Sequence, residues 1–309
     1  MSEKGKPIGL GRRLGLGLTG AAREDARLGR LLVLPAVAFT AVLVIYPLII
    51  GFQTSLQANS PTLQQAGEFV GFENYSAVLG DESVIDSVVQ TLKYVILALV
   101  LEIGLGLALA VMLHRAFRGR GLVLAILILP WALPSVVSGV LWRRVFDPDT
   151  GLLNSFLMNI GVIDQPEVWM ANDTWATLFI TLVHVWGMLP LVTLVFLAGM
   201  QAIPDEVFSA SAVDGATPWR QFVHITLPLL RPSIAVALSV GSINAINIFD
   251  EIYVLNGTAL NTRSVLMEVY DKIFVSSQFA EGTALAFLVA AVAALLSVGF
   301  VLLLRRRTV

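Results

Sequence analysis

Six apolar runs of about twenty residues divide this 309-residue chain, at 31–52, 89–113, 122–141, 175–197, 229–254 and 283–304. At 1.5 Å per residue, each is long enough to cross about 30 Å of hydrocarbon as a helix. Within lipid every backbone amide has to be bonded inside its own segment, so the runs predict helices and not strands. The polar stretches at 53–88, 142–174 and 255–282 read as ordered loops, none large enough for a separate domain. The expected organisation is all-α. A basic segment at 1–30 precedes a six-helix membrane domain over 31–304, which carries a polar loop at about 199–228 and is followed by a short tail at 305–309.

Composition agrees with this pattern. Hydrophobic residues make up 56% of the chain and charged residues 14%, against about 25% charged in soluble domains. A net charge of −2 gives no field that would attract nucleic acid, and the absence of cysteine excludes disulfides and thiol chemistry. The first run is too long for a cleavable leader and no A-x-A-like site follows it, so it reads as a span.

Basic residues set the orientation. Fifteen of the twenty fall before the first run, between the second and third, within 199–231, or in the tail; the other side holds Lys93, Arg143, Arg144, Arg263 and Lys272. The bias places both termini and the 199–228 loop in the cytoplasm. The N-terminal stretch "RRLGLGLTGAAREDARLGR" reads equally as a surface-lying amphipathic helix or a flexible tail. Its G-x-G-x-x-G match at Gly15, Gly17 and Gly20 has no strand before it and no βαβ unit around it, so it is not a nucleotide site.

Catalytic signatures are missing. No G-x-x-x-x-G-K-[ST] loop occurs, so the chain is not expected to hydrolyse ATP itself; no H-E-x-x-H or other metal-ligand cluster occurs either. His114, His184 and His224 are scattered, and no run carries the repeated arginines of a voltage sensor.

The polar loop carries more information. In "PDEVFSASAV", Pro204 stands at a helix start and Asp205 and Glu206 at its positive end. Asp214-Gly215 marks a bend, because glycine tolerates positive φ. Thr217 then reads as an N-cap with Pro218 at the first helical position, Phe222 and Ile225 lie three apart on one face, and Leu227-Pro228 closes the segment. A pair of short helices with small residues on its surface suits a docking element; a plain connector fits the same residues.

The segment resembles the cytoplasmic signature loop of ABC importer permeases: E-A-A, three residues, G, nine residues, I-x-L-P. Ser209-Ala210-Ser211 occupy the E-A-A positions, with Asp214, Gly215 and Ala216 at the turn and Ile225-x-Leu227-Pro228 at the end. Ser209 replaces the usual Glu, and Ser211 the second Ala. "YPLIIGFQTSL", "FVGFENYSAVL", "LEIGLGLALAVMLHRAFRGRG", "LPWALPSVVSGVLWRRVFDPDTGLLN" and "FDEIYVL" extend the likeness to the carbohydrate-importer, maltose-type branch. "LNGTALNTRS" stands where that branch often has T-x-G-G-P.

The resemblance implies a type I importer fold in a bacterial or archaeal inner membrane. It implies one of two permease subunits, joined by two ATPase subunits that hold ATP and Mg, and by an extracytoplasmic solute-binding protein. ATPase coupling is expected through Ser209, Ala210, Ser211, Asp214, Gly215, Ala216, Phe222, Ile225, Leu227 and Pro228. The chain itself is expected to bind no cofactor and no metal.

A sugar needs hydrogen-bond partners for its hydroxyls and flat apolar surfaces for its C–H faces. Asn244 and Asn247 share a helix face, with Val240 one turn earlier. The resemblance adds His184, Gly187 and Met188 in the fourth run, and Trp131 and Ser135 in the third, as substrate-binding positions. The alternatives at these positions are interhelical hydrogen bonding by Asn and Ser, an interfacial anchor at Trp131 and a satisfied core histidine at His184. Pro130, Pro134 and Pro190 are expected to loosen the helices nearby. Glu102 reads as a structural acid paired within the bundle, and Asp250 and Glu251 as gate or scaffold residues near an outer end. A disaccharide or short oligosaccharide is the expected cargo, with glycerol 3-phosphate or another polyol as the alternative. A proton-coupled carrier working through Glu102 or His184, and a membrane enzyme, are the other classes.

Overall fold

The computed structural model describes residues 32–59 and 67–305, with side chains to residue 302. The basic segment at 1–30, where a surface helix or a tail was expected, lies outside the described residues, as does the tail beyond residue 305.

The chain divides after Gln53 into two units. In the first, the opening apolar run is helical as the start of α1, Leu32–Ser55. It carries a π-helical turn at Ala41–Ile45, where the Tyr46 amide bonds Ala41 O. Pro47 follows directly. A proline removes one amide and crowds the carbonyl four residues back, and the extra residue of a π turn absorbs that mismatch.

The second unit contains α2 (Glu73–Gly80), α3 (Glu82–His114), α4 (Arg120–Ala132), α5 (Ser135–Val145), α6 (Leu152–Asn159), α7 (Asp173–Gln201), α8 (Asp205–Val213), α9 (Pro218–Leu229), α10 (Arg231–Ile246), α11 (Asp250–Asn256), α12 (Val265–Tyr270) and α13 (Phe279–Arg305). One isolated bridge, Gln57 to Phe69, is the only β pairing among the described residues. Four helices (α1, α3, α7 and α13) are long and apolar enough to span a membrane, and the bent pairs α4–α5 and α9–α10 bring the number to six.

Two expected continuous spans are therefore broken. The run at 122–141 folds back by 103° between α4 and α5. Leu133 is extended there (φ −87, ψ 137) because the ring of Pro134 excludes the helical conformation for the residue before it. The run at 229–254 bends by 65° on entering α10 and stops at Asn247, before α11 begins. The carbonyl of Ile248, freed by this second break, is bonded by the buried Ser264 hydroxyl at 2.7 Å. Pro190, expected to loosen the fourth span, sits within an uninterrupted α7.

The helices of the second unit are held by close packing more than by solvent exclusion, since lipid is as apolar as the side chains it would replace. α3 runs along α7 and α10, and α10 along α13. A Cβ placed on Gly106 of α3 would lie 2.8 Å from Val192 Cγ1 of α7, so only a hydrogen fits there. Toward the 199–228 loop the core is Ala110, Leu113, Val192, Phe196 and Leu230; toward the opposite end it is Tyr94, Ile180, Ile248, Ile252 and Met267.

Outside the spans, an ion cluster ties α3 to the approach to α13. Lys272 Nζ donates to Asp81 Oδ2 at 2.7 Å and to Glu281 Oε2 at 3.2 Å. The hydrogen bond from Lys272 holds the Asp81 carboxyl below its ordinary 3.8. Burial opposes the charge of Lys272, but the hydrogen bonds to Asp81 and Glu281 outweigh it and raise the ammonium above its ordinary 10.5. Asp81 thus contributes stability above pH 3.8 that is lost as pH falls through its folded value. Lys272 contributes stability below pH 10.5 that is lost as pH rises through its folded value. Lys272→Met is expected to cost about 2 kcal/mol near neutrality. In thermal melts against pH, the gap from wild type should narrow at both acid and alkaline extremes.

Candidate functional site

The substrate residues expected from sequence lie on different helices, and the helix breaks bring them together. Trp131 is in the last turn of α4 and Ser135 in the first turn of α5, on either side of the 103° bend. With His184, Gly187 and Met188 of α7 and Asn244 of α10 they line a cavity of about 230 Å3, joined by Glu251 of α11. A second cavity of about 310 Å3 shares Ser135, His184, Asn244 and Glu251 and adds Asn247 and Asp250. Val240 lines neither cavity; its carbonyl accepts the Asn244 side-chain amide at 2.9 Å. Asn247 likewise bonds the carbonyl of Ile243, at 2.8 Å.

His184 joins three helices. Its Nδ1–H donates to Glu251 Oε1 at 3.3 Å, and its Nε2 lies 3.7 Å from Glu102 Oε1, too far for a hydrogen bond. Glu102 is fully buried and neither of its oxygens has a hydrogen-bond partner. The pairing expected for Glu102 is therefore a near approach to His184 alone. Gly241 leaves room for the carboxylate: a Cβ there would lie 2.5 Å from Glu102 Oε2. Glu251, expected near a solvated outer end, is instead buried in the cavity wall at 9% exposure. The sequence reading missed it because it extended one helix through 247–249, where the chain breaks. The only local signal was "INIFDE", in which a helix-poor asparagine, Asn247, stands three residues before an acidic pair.

The loop that replaces T-x-G-G-P is held by its own side chains. Asn256 Nδ2 bonds Thr262 Oγ1 at 2.9 Å, and Asn261 Nδ2 bonds Asp173 Oδ1 at 3.0 Å.

The 199–228 segment forms a helix pair. Pro204 caps α8, and the helix closes on Gly215 at φ +77, with Ala216 N bonded to Ser211 O at 2.9 Å and Gly215 N to Ala212 O at 3.1 Å. This is a Schellman closure, which needs a left-handed residue after the helix. Asp214 is the C-cap, and Thr217 caps α9 through the Arg220 amide, with Pro218 in its first turn. Ser211 accepts from Gln221 Nε2 at 2.9 Å, and Phe208 O accepts from the same nitrogen at 3.2 Å, which locks α8 to α9. Ser209 Oγ turns back onto Asp205 O at 3.0 Å.

No residue of α8 is buried, Ala210 is exposed, and Val213 is 89% exposed. Phe222 and Ile225 fall in a π turn, Phe222–Thr226, whose wider winding carries residues three apart away from a common face. Leu227-Pro228 does not close the segment, since α9 continues to Leu229 before the bend. This π turn again directly precedes a proline-bearing turn, as in α1.

Residues 102–309 match the family described as "Binding-protein-dependent transport system inner membrane component". The trehalose/maltose transport system permease protein MalF of Thermococcus litoralis is 36% identical over 76% of this chain and 78% of its own length. The trehalose transport system permease protein SugA of Mycobacterium tuberculosis is 32% identical over 88% of this chain and 86% of its own. Among solved structures, a chain of a bacterial ABC transporter involved in import of the acidic polysaccharide alginate superposes with a TM-score of 0.80, covering 94% of this chain and 98% of that one at 23% identity. That likeness concerns the fold.

Proposed function

The chain belongs to the family of binding-protein-dependent transport system inner membrane components, and from that premise we propose that it forms half of the translocation path for a sugar, a disaccharide or short oligosaccharide. In this reading a solute-binding protein delivers the sugar on the outer side and a second permease completes the path. Two ATPase subunits, with ATP and Mg, dock on the α8–α9 pair in the cytoplasm, where both termini also lie. The chain is a transport subunit, and the hydrolytic chemistry sits in its partners.

The observation that carries the reading is the cavity at the helix breaks. An indole, a serine hydroxyl and two asparagines line two cavities there that share Ser135, His184, Asn244 and Glu251. Polar groups at membrane depth are costly unless they face such a space. A sugar uses both kinds of wall, the aromatic face and the hydrogen-bonding side chains.

Reconstituting the complete complex in proteoliposomes tests this. Uptake of the sugar is expected only with the binding protein, ATP and ATPase subunits all present, and uptake that persists without the ATPase subunits contradicts it. Asn244→Ala is expected to raise the KM for uptake about tenfold, the loss of one or two hydrogen bonds, with the assembled complex intact by size-exclusion chromatography.

A further inference from the structure

The charges around this cavity are one-sided. Of the residues lining its two parts, the titratable ones are His184, Asp250 and Glu251, and neither part is lined by lysine or arginine. Among the described residues Glu251 has a single ionic partner, His184, and behind that histidine stands the fully buried Glu102. Even a protonated His184 is outnumbered by the two cavity-lining carboxylates, Asp250 and Glu251.

The walls also offer hydrogen bonds of both kinds. Asn244 and Asn247 each spend an amide N–H on the carbonyl four residues back. His184 spends its Nδ1–H on Glu251. What remains is two asparagine oxygens and two carboxylates as acceptors, beside one further N–H on each asparagine, the Ser135 hydroxyl and the Trp131 indole N–H as donors. His184 is only 6% exposed and lines both parts of the cavity, while its Nε2 faces Glu102 behind it at 3.7 Å.

We propose that Asp250 and Glu251 make this cavity selective for uncharged, hydroxyl-rich ligands and exclude anionic ones, the phosphorylated, uronate-bearing or sulfonated sugars and polyols. The proposal rests on the import reading above and narrows its substrate class. A neutral hydroxyl donates to a carboxylate and gains a charge-assisted hydrogen bond. An ionised phosphate or uronate has no proton to donate, and it meets like charge in a space of low dielectric where repulsion is weakly screened. His184 is a positioning residue in this account: through its Nδ1–H it fixes the Glu251 carboxylate in the wall.

The test uses the complete transporter in proteoliposomes and two matched probes, a neutral oligosaccharide and the same oligosaccharide oxidised to a uronate. Both are chosen because the binding protein captures them in calorimetry, so that delivery is separated from passage. Wild type is expected to carry the neutral probe at least about tenfold faster than the uronate. The double variant Asp250→Asn, Glu251→Gln is expected to bring the two rates within about threefold, and His184→Ala to weaken discrimination part of the way. Equal rates in wild type, or a double variant that still rejects the uronate as strongly, overturn the proposal. Failure of wild type to carry either captured probe overturns instead the sugar-import reading on which it rests.

Discussion

Ala210→Trp is expected to reduce sugar-stimulated ATP hydrolysis by the assembled transporter about a hundredfold, roughly 2.7 kcal/mol of lost coupling. Ala210 lies on the exposed surface of α8, which buries none of its residues against its own chain. An indole there has nothing in this subunit to collide with, so the subunit should fold and insert like wild type. The same indole occupies the face on which the ATPase is proposed to sit, where one oversized side chain prevents close approach. Gly215→Ala provides a graded companion. Space is open around Gly215, so the penalty comes from its φ of +77 alone. It should cost about 1 kcal/mol and slow coupling severalfold without ending it. ATPase assays in nanodiscs, with size-exclusion profiles of the isolated subunit, read both effects. A coupled Ala210→Trp complex contradicts the docking role.

Gly151→Ala is expected to be strongly destabilising. A Cβ at Gly151 would run into the backbone oxygens of Asp147 and Val145 and the Asp147 nitrogen, none of which can rotate away. The turn they belong to is closed by Asp147 Oδ1, which accepts from the amides of Asp149 and Thr150 and from the Thr150 hydroxyl. The backbone hydrogen bond from Thr150 holds the Asp147 carboxyl below its ordinary value. Accommodating the methyl means opening this turn and releasing the start of α6, at a cost of about 3 kcal/mol. Gly104→Ala in α3, with open space around it, should be neutral or slightly stabilising. Thermal stability of the two purified variants separates a packing clash from a general intolerance of alanine.

Apolar runs located the spans because burial in lipid leaves a length and a composition that survive in the sequence. The helix pair was equally legible, since Pro204, Asp214-Gly215 and Thr217-Pro218 act through local backbone preferences. Hydropathy could not show the breaks. Leu133 and Ile248 are as apolar as their neighbours, and only the proline after one and the distant Ser264 hydroxyl beneath the other account for where the chain turns. Spacing placed Asn244 and Asn247 together, but placed Val240 with them on an uninterrupted face that ends at Asn247. Glu251 was misjudged for the same reason: its position in the cavity wall depends on a new helix starting at Asp250. The bond from Gln221 to Ser211, two residues ten apart, showed no sequence signal beyond the departure from the family's usual alanine.

The central claim is that a separate ATPase seats on the α8–α9 pair. The chain contains no cysteine, and Val213 at the end of α8 is 89% exposed. A Val213→Cys variant therefore carries a single thiol at the proposed contact. Maleimide labelling of this subunit should be fast when it is purified alone and at least about tenfold slower in the assembled complex. Equal labelling rates in the two states would place the helix pair in open solvent and contradict the account.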